Sequence, residues 1–218
     1  ECSISNEGNI TVEKDSSFSG TFSLGGIGAY VHTSSSNSGG HPNAADDGIV
    51  KYINYGKISV AQGVTASSEQ RIGGIFGYSH IGMGNGLYWI NTGDIELYAS
   101  FNQDKINQIG GIVGRIGTSE YKKRAIANAK CYCKITAYYV DKNGTEISYP
   151  NVGMLTGRDA SEFGKCENCH IGGTIVLSST NEIKLTSDNY LNWVAGGNTT
   201  DDQTNTVEYL ESKDSIVY

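Results

Sequence analysis

Five segments of the chain follow one pattern in one order, and a repeat narrows the folds open to a sequence more than any other feature. They are Asn6-Glu7-Gly8-Asn9-Ile10, Asn54-Tyr55-Gly56-Lys57-Ile58, Asn91-Thr92-Gly93-Asp94-Ile95, Cys131-Tyr132-Cys133-Lys134-Ile135 and Ile171-Gly172-Gly173-Thr174-Ile175. The closing isoleucines at 10, 58, 95, 135 and 175 stand 48, 37, 40 and 40 residues apart, within the period range of solenoids and propellers. A second motif follows each. It reads Gly25-Gly26-Ile27-Gly28-Ala29, Gly73-Gly74-Ile75-Phe76-Gly77 and Gly110-Gly111-Ile112-Val113-Gly114. It then decays to Val152-Gly153-Met154-Leu155-Thr156 and Leu191-Asn192-Trp193-Val194-Ala195.

Alternate residues of a strand share a face, so each Ile-x-apolar triplet puts two side chains on one side. If each repeat is one coil, Ile10, Ile58, Ile95, Ile135 and Ile175 form one inward stack. Val12, Val60, Leu97, Ala137 and Leu177 form a second. Coils one strand spacing apart, about 4.8 Å, then bury like residue on like. The intervening outward positions read Asn9, Lys57, Asp94, Lys134 and Thr174, so the alternating charges at 57, 94 and 134 are expected to pair across coils. A further strand precedes each Asn-x-Gly-x-Ile, as in Gly48–Ile53, Gly86–Ile90, Ala125–Ala129 and Cys166–His170. The pattern predicts an all-β chain, a right-handed parallel β-helix (β-solenoid) of about five coils with three short strands per coil. Residues 1–218 read as one solenoid domain, with a polar loop inserted at 32–47 and a C-terminal cap at 196–218. The glycine doublets read as lying inside strands, where positive φ or close backbone approach at the corners calls for them. No phosphate-loop pattern is present.

Composition agrees. Glycine is abundant at 29 and proline scarce at 2, without the period of collagen. The net charge of −7 argues against nucleic acid and anionic membrane as partners, since both require a basic face. The run Lys122-Lys123-Arg124 is a local exception that reads as a solvated turn. No apolar stretch is long enough for a transmembrane helix, so direct membrane insertion is not expected. The chain is expected to be part of a longer protein.

The Gly-Gly-Ile-Val-Gly form and Asn168-Cys169-His170-Ile171-Gly172-Gly173 resemble the Glug-motif repeats of large bacterial surface and secreted proteins. Every repeat carries some form of both motifs, so the resemblance covers nearly the whole chain. Cys133 and Asn192 depart from it at glycine positions. The resemblance implies a solenoid stalk or adhesin-like module, secreted or displayed at the cell surface. Glug repeats also accompany some bacterial immunoglobulin-A peptidases, but the His-Glu-x-x-His zinc motif is absent here. The motif carries over no catalytic residue.

The remaining chemistry is thin. Cys166-Glu167-Asn168-Cys169-His170 has the written form of a c-type haem attachment, and Cys131, Cys133, Cys166 and Cys169 have spacings that suit zinc. In register, however, Cys169 falls opposite Trp89 and Ala129, and Cys131 and Cys169 occupy different ladders. Small core residues are therefore the preferred reading, with a disulfide next. No cofactor or metal is assigned. His32, His41, His80 and His170 are isolated, and Asp46-Asp47 and Asp201-Asp202 lack a calcium-loop pattern. Ligand candidates are His32, His41, Asp46 and Asp47 on the inserted loop, together with Tyr30 and Tyr78. Tyr55, Tyr88, Tyr98, Tyr132 and Tyr138 extend the aromatic set that suits sugar rings. The reading is a non-enzymatic bacterial surface module, an adhesin or stalk whose partner is a glycan or a host or bacterial surface protein. The alternative is a carbohydrate-active β-helix, a polysaccharide lyase or hydrolase. For that alternative Arg71, Arg115, Arg158 and Asp159 supply the only suitable side chains, with Arg115, Arg158 and Asp159 expected to come close together.

Overall fold

The computed structural model describes residues 2–31, 50–79, 87–100, 107–116, 124–140, 151–159, 163–167, 169–179, 207–209 and 216–217. The first repeat contributes β1 (Cys2–Asn6), β2 (Ile10–Val12), β3 (Ser17–Phe18), β4 (Phe22–Gly25) and β5 (Gly28–Val31). The second contributes β6 (Val50–Asn54), β7 (Ile58–Val60), β8 (Thr65–Ala66), β9 (Gln70–Gly73) and β10 (Phe76–Ser79). The third gives β11 (Leu87–Asn91), β12 (Ile95–Ser100), β13 (Asn107–Gly110) and β14 (Val113–Ile116). Then follow β15 (Arg124–Ala127), β16 (Ala129–Val140), β17 (Asn151–Gly153), β18 (Thr156–Asp159), β19 (Phe163–Glu167), β20 (Cys169–Ser179), β21 (Val207–Tyr209) and β22 (Ile216–Val217). No described residue is helical, so none belongs to a helix long and apolar enough to cross a membrane. Every strand pairing is parallel, joining a strand of one repeat to its counterpart in the next. This is the arrangement of the β-helix or solenoid-like class.

The registers place the isoleucines in one column. Ile10 pairs with Ile58, Ile58 with Ile95, Ile95 with Ile135, and Ile135 with Ile175. Ile58, Ile95, Ile135 and Ile175 are buried, while Ile10 on the first rung is half-buried. Val12, Val60, Leu97, Ala137 and Leu177 follow two residues on. A further column runs Leu24, Ile72, Ile109, Val152. In the strands ahead of these, Tyr52 stacks on Trp89 at 5.0 Å with Phe76 edge-on to both, and Trp89 is followed by Ala129 and Cys169. Cys131, Cys133 and Cys169 are buried in this core, and Cys131 and Cys169 stand in different columns. The Cys131 and Cys133 sulfurs are 3.5 Å apart. That contact and burial hold the Cys133 thiol well above its ordinary pKa, so it stays protonated at neutral pH.

The structure departs from the sequence reading in two respects and adds to it in two more. First, the doublets Gly25-Gly26, Gly73-Gly74 and Gly110-Gly111 join two strands instead of lying inside one, whereas Gly172-Gly173 lies inside β20. Gly73 ends β9, Gly74 and Ile75 make the bend, and β10 begins at Phe76. Among the described residues the first two repeats hold five strands each, against the three expected. Second, of the two grounds expected for these bend glycines, positive φ or close approach, the structure shows close approach. Positive φ occurs elsewhere, at Gly20, Gly63 and Gly173. A side chain on Gly77 would meet the backbone of β4 and β9, at Leu24 N (2.5 Å) and Arg71 O (2.8 Å). Third, Lys57 pairs with Glu96, not with Asp94. Asp94 instead accepts the backbone N–H of Lys134 at 2.8 Å, as Asn9 accepts that of Lys57 at 2.9 Å. Fourth, near the C-terminus β21 and β22 add to β20 in the established register, with Ile216 on the Ile175 column. The loop at 32–47 lies outside the described residues.

A buried asparagine ladder explains why the strand breaks in the first three repeats and not after. Asn6 donates to Asn54 Oδ1 and Asn54 to Asn91 Oδ1, both at 2.8 Å. Asn91 also accepts from Gly93 N and donates to Gly93 O, each at 3.1 Å, closing a local turn. Cys131 and Ile171 take the next two positions in that column and have no amide to hold the turn. There β16 and β20 run straight through, over 12 and 11 residues.

Candidate functional site

The sheet β5-β10-β14-β18 carries a column that reads Tyr30, Tyr78, Arg115, Arg158. Tyr30 and Tyr78 stack with ring centroids 5.0 Å apart and planes within 8°. Tyr30 is 52% exposed, whereas Tyr78 is buried. Arg71 reaches this column from β9, the strand on the other arm of the glycine bend. Its guanidinium lies over the Tyr78 ring at 4.4 Å, and that of Arg115 lies 6.0 Å from the same centroid. Such geometry gives about 0.5–1 kcal/mol at exposed sites and more where desolvated.

Glu69 ties the two arginines together. Its Oε2 accepts from Arg71 Nε at 3.0 Å, from Arg71 Nη2 at 2.6 Å and from Arg115 Nη1 at 2.5 Å. Both arginine side chains are 16% exposed. Burial pushes the Glu69 carboxyl up, but hydrogen bonding and charge from Arg71 and Arg115 outweigh it and hold the group below its ordinary pKa of 4.5. A carboxylate lowered in this way stabilises the fold above its unfolded pKa, and that contribution is lost as pH falls through the folded value. Glu69→Gln is therefore expected to lower the melting temperature at neutral pH and to flatten its decline in acid. Circular-dichroism melts between about pH 3 and about pH 7 would check this, and an unchanged acid limb would refute it.

Gln108 follows Arg71 in the β4-β9-β13-β17 sheet. Both of its side-chain amide atoms, and Arg115 Nε, are buried without a hydrogen-bond partner among the described residues. The network has thus not satisfied its own polar atoms.

Of the residues singled out in the sequence, the structure brings Tyr30, Tyr78, Arg115 and Arg158 into one column and joins Arg71 to them. Asp159 pairs in register with Ile116, one residue beyond Arg115. His32, His41, His80, Asp46 and Asp47 lie outside the described residues. Tyr55 is exposed on a different edge, and Tyr88, Tyr98 and Tyr132 are half-buried. Among the described residues no three His, Cys, Asp or Glu side chains converge as a metal site. Glu69 was missed. Its signal was the spacing in Glu69-Gln70-Arg71, which puts acid and base on one face of a strand just ahead of the glycine motif. No family model matches the chain, and no curated protein or solved structure matches it.

Proposed function

We propose that the chain is a right-handed β-solenoid of about five coils, of the Glug-repeat kind, from an exported bacterial protein, and that it acts as a non-enzymatic cell-surface module binding a glycan. It would serve as an adhesin or stalk, with a host or bacterial surface protein as the other partner class. The observation that carries this reading is the Tyr30–Tyr78 stack: a half-exposed aromatic face on a rigid parallel sheet, beside two arginines that can fix a sugar's orientation. The register of Arg115 beside Arg158, with Asp159 next, supports the second reading, a polysaccharide lyase or hydrolase.

One experiment separates them. The purified chain is screened on a glycan array, and hits are measured by calorimetry and by product analysis. Tyr30→Ala is expected to weaken a glycan hit about tenfold while leaving the melting temperature within a few degrees of wild type. Conversion of a bound oligosaccharide to products, lost on changing Arg115, would favour the enzyme instead.

A further inference from the structure

We infer that the ligand at this face is an acidic glycan, its carboxylate held by Arg71 and Arg115 while a sugar ring rests on Tyr30. The inference builds on the glycan-binding reading above.

Among the described side chains the charges at the site do not balance. Glu69 Oε2 takes all three of the hydrogen bonds that the arginines make to this residue, so one carboxylate serves two guanidinium groups. Arg158 holds the next register position beside Arg115, so the same column carries a further arginine on the following strand. Like charges at paired positions destabilise a sheet, and among the described side chains Glu69 is the acid that offsets the arginines. A guanidinium has five N–H donors in a planar fork. Arg71 uses two of them on Glu69 and Arg115 one, and Arg115 Nε has no partner among the described residues. Arginine is the side chain whose fork matches a carboxylate with two parallel bonds, and the low exposure of both groups strengthens such a pair. The overall charge of −7 would repel an anion at long range, so this cationic cluster has to act by contact at short range. The Tyr30 face beside it takes the apolar side of a sugar ring, which a small free anion lacks.

The test uses the full chain and three matched pairs of probes: oligogalacturonate against galacto-oligosaccharide, oligomannuronate against manno-oligosaccharide, and sialyl-lactose against lactose. At least one acidic member is expected to bind ten times or more tightly than its neutral partner, with affinity falling as salt is raised. Arg71→Lys, which keeps the charge and loses the fork, is expected to reduce that affinity about tenfold. Arg115→Lys is expected to act in the same direction, so the result does not depend on one variant folding. Equal affinity for acidic and neutral members would overturn the carboxylate assignment and leave the glycan reading standing. Tighter binding of a sulfated galacto-oligosaccharide than of any uronate or sialoside would also overturn it. Binding of none of the probes, with wild-type folding confirmed, would remove both.

Discussion

Replacing Ile95 by aspartate is expected to abolish cooperative folding of the chain. Ile95 is 1% exposed and sits between Ile58 and Ile135, both fully buried, in the middle of a column that runs from Ile10 to Ile175. A carboxylate placed there would be flanked by isoleucine on both adjoining rungs. Burying a polar group without a partner costs several kcal/mol, and a bare charge costs more. Whole domains are stable by only about 5–15 kcal/mol. Each rung touches only its neighbours, so the loss spreads through two interfaces. Ile10→Asp makes the matched comparison: the same change on the half-buried first rung is expected to cost much less. Thermal melts followed by circular dichroism, with limited proteolysis, would read both. A wild-type melt for Ile95→Asp would mean that the column does not form the core.

The isoleucine column was legible because two constraints converge on it. The period of 37 to 48 residues sets which residues are neighbours, and the alternation within Ile-x-apolar sets which way they face. The same logic set Ala129 opposite Trp89, as the register has it, and Cys169 one residue ahead of the His170 that pairs with Lys130. The asparagine ladder was harder to read. Asn6, Asn54 and Asn91 stand before glycine, where asparagine ordinarily marks a surface turn, and nothing local reveals that its amide turns inward to meet the next copy. The glycine doublets misled for a related reason. A bend and an interrupted strand carry the same residues, and only the approach of β10 to β4 and β9 distinguishes them. The site lay further out of reach. Tyr78 and Arg115 share a column and can be aligned by period, but Arg71 belongs to another sheet and meets them only because the bend folds β9 beside β10. Glu69, which joins the two arms, has no counterpart in the repeat to draw attention to it.

Those bends also determine the second large effect, that of Gly110→Ala. In an unstrained backbone this substitution commonly stabilises, by about 0.4–1 kcal/mol, because it restricts the unfolded chain. Here the sign is expected to reverse. A methyl group on Gly110 would run into the carbonyl oxygen of Val113 and stand 2.6 Å from its carbon, on the opposite arm of the same bend. It would also stand 2.8 Å from Gly157 N on the following rung. All three atoms are backbone, so no rotamer change relieves the contact. The two arms have to part, and with them the Gly73 and Gly153 bends that pair with Gly110 on either side. Overpacking a core with side chains free to adjust costs about 1–3 kcal/mol, and a backbone clash spanning two rungs belongs at or above the top of that range. Gly8→Ala is the control. Its added methyl would find only the Asn6 Oδ1 atom, at 3.8 Å, on an exposed turn of the first rung. Urea titration of the three proteins should show Gly8→Ala within about 0.5 kcal/mol of wild type and Gly110→Ala lower by about 3 kcal/mol or more. Equal midpoints for the two variants would mean that the arms of the bend do not approach closely enough to require glycine. The face where Arg71 meets Tyr78 would then lose its structural basis as well.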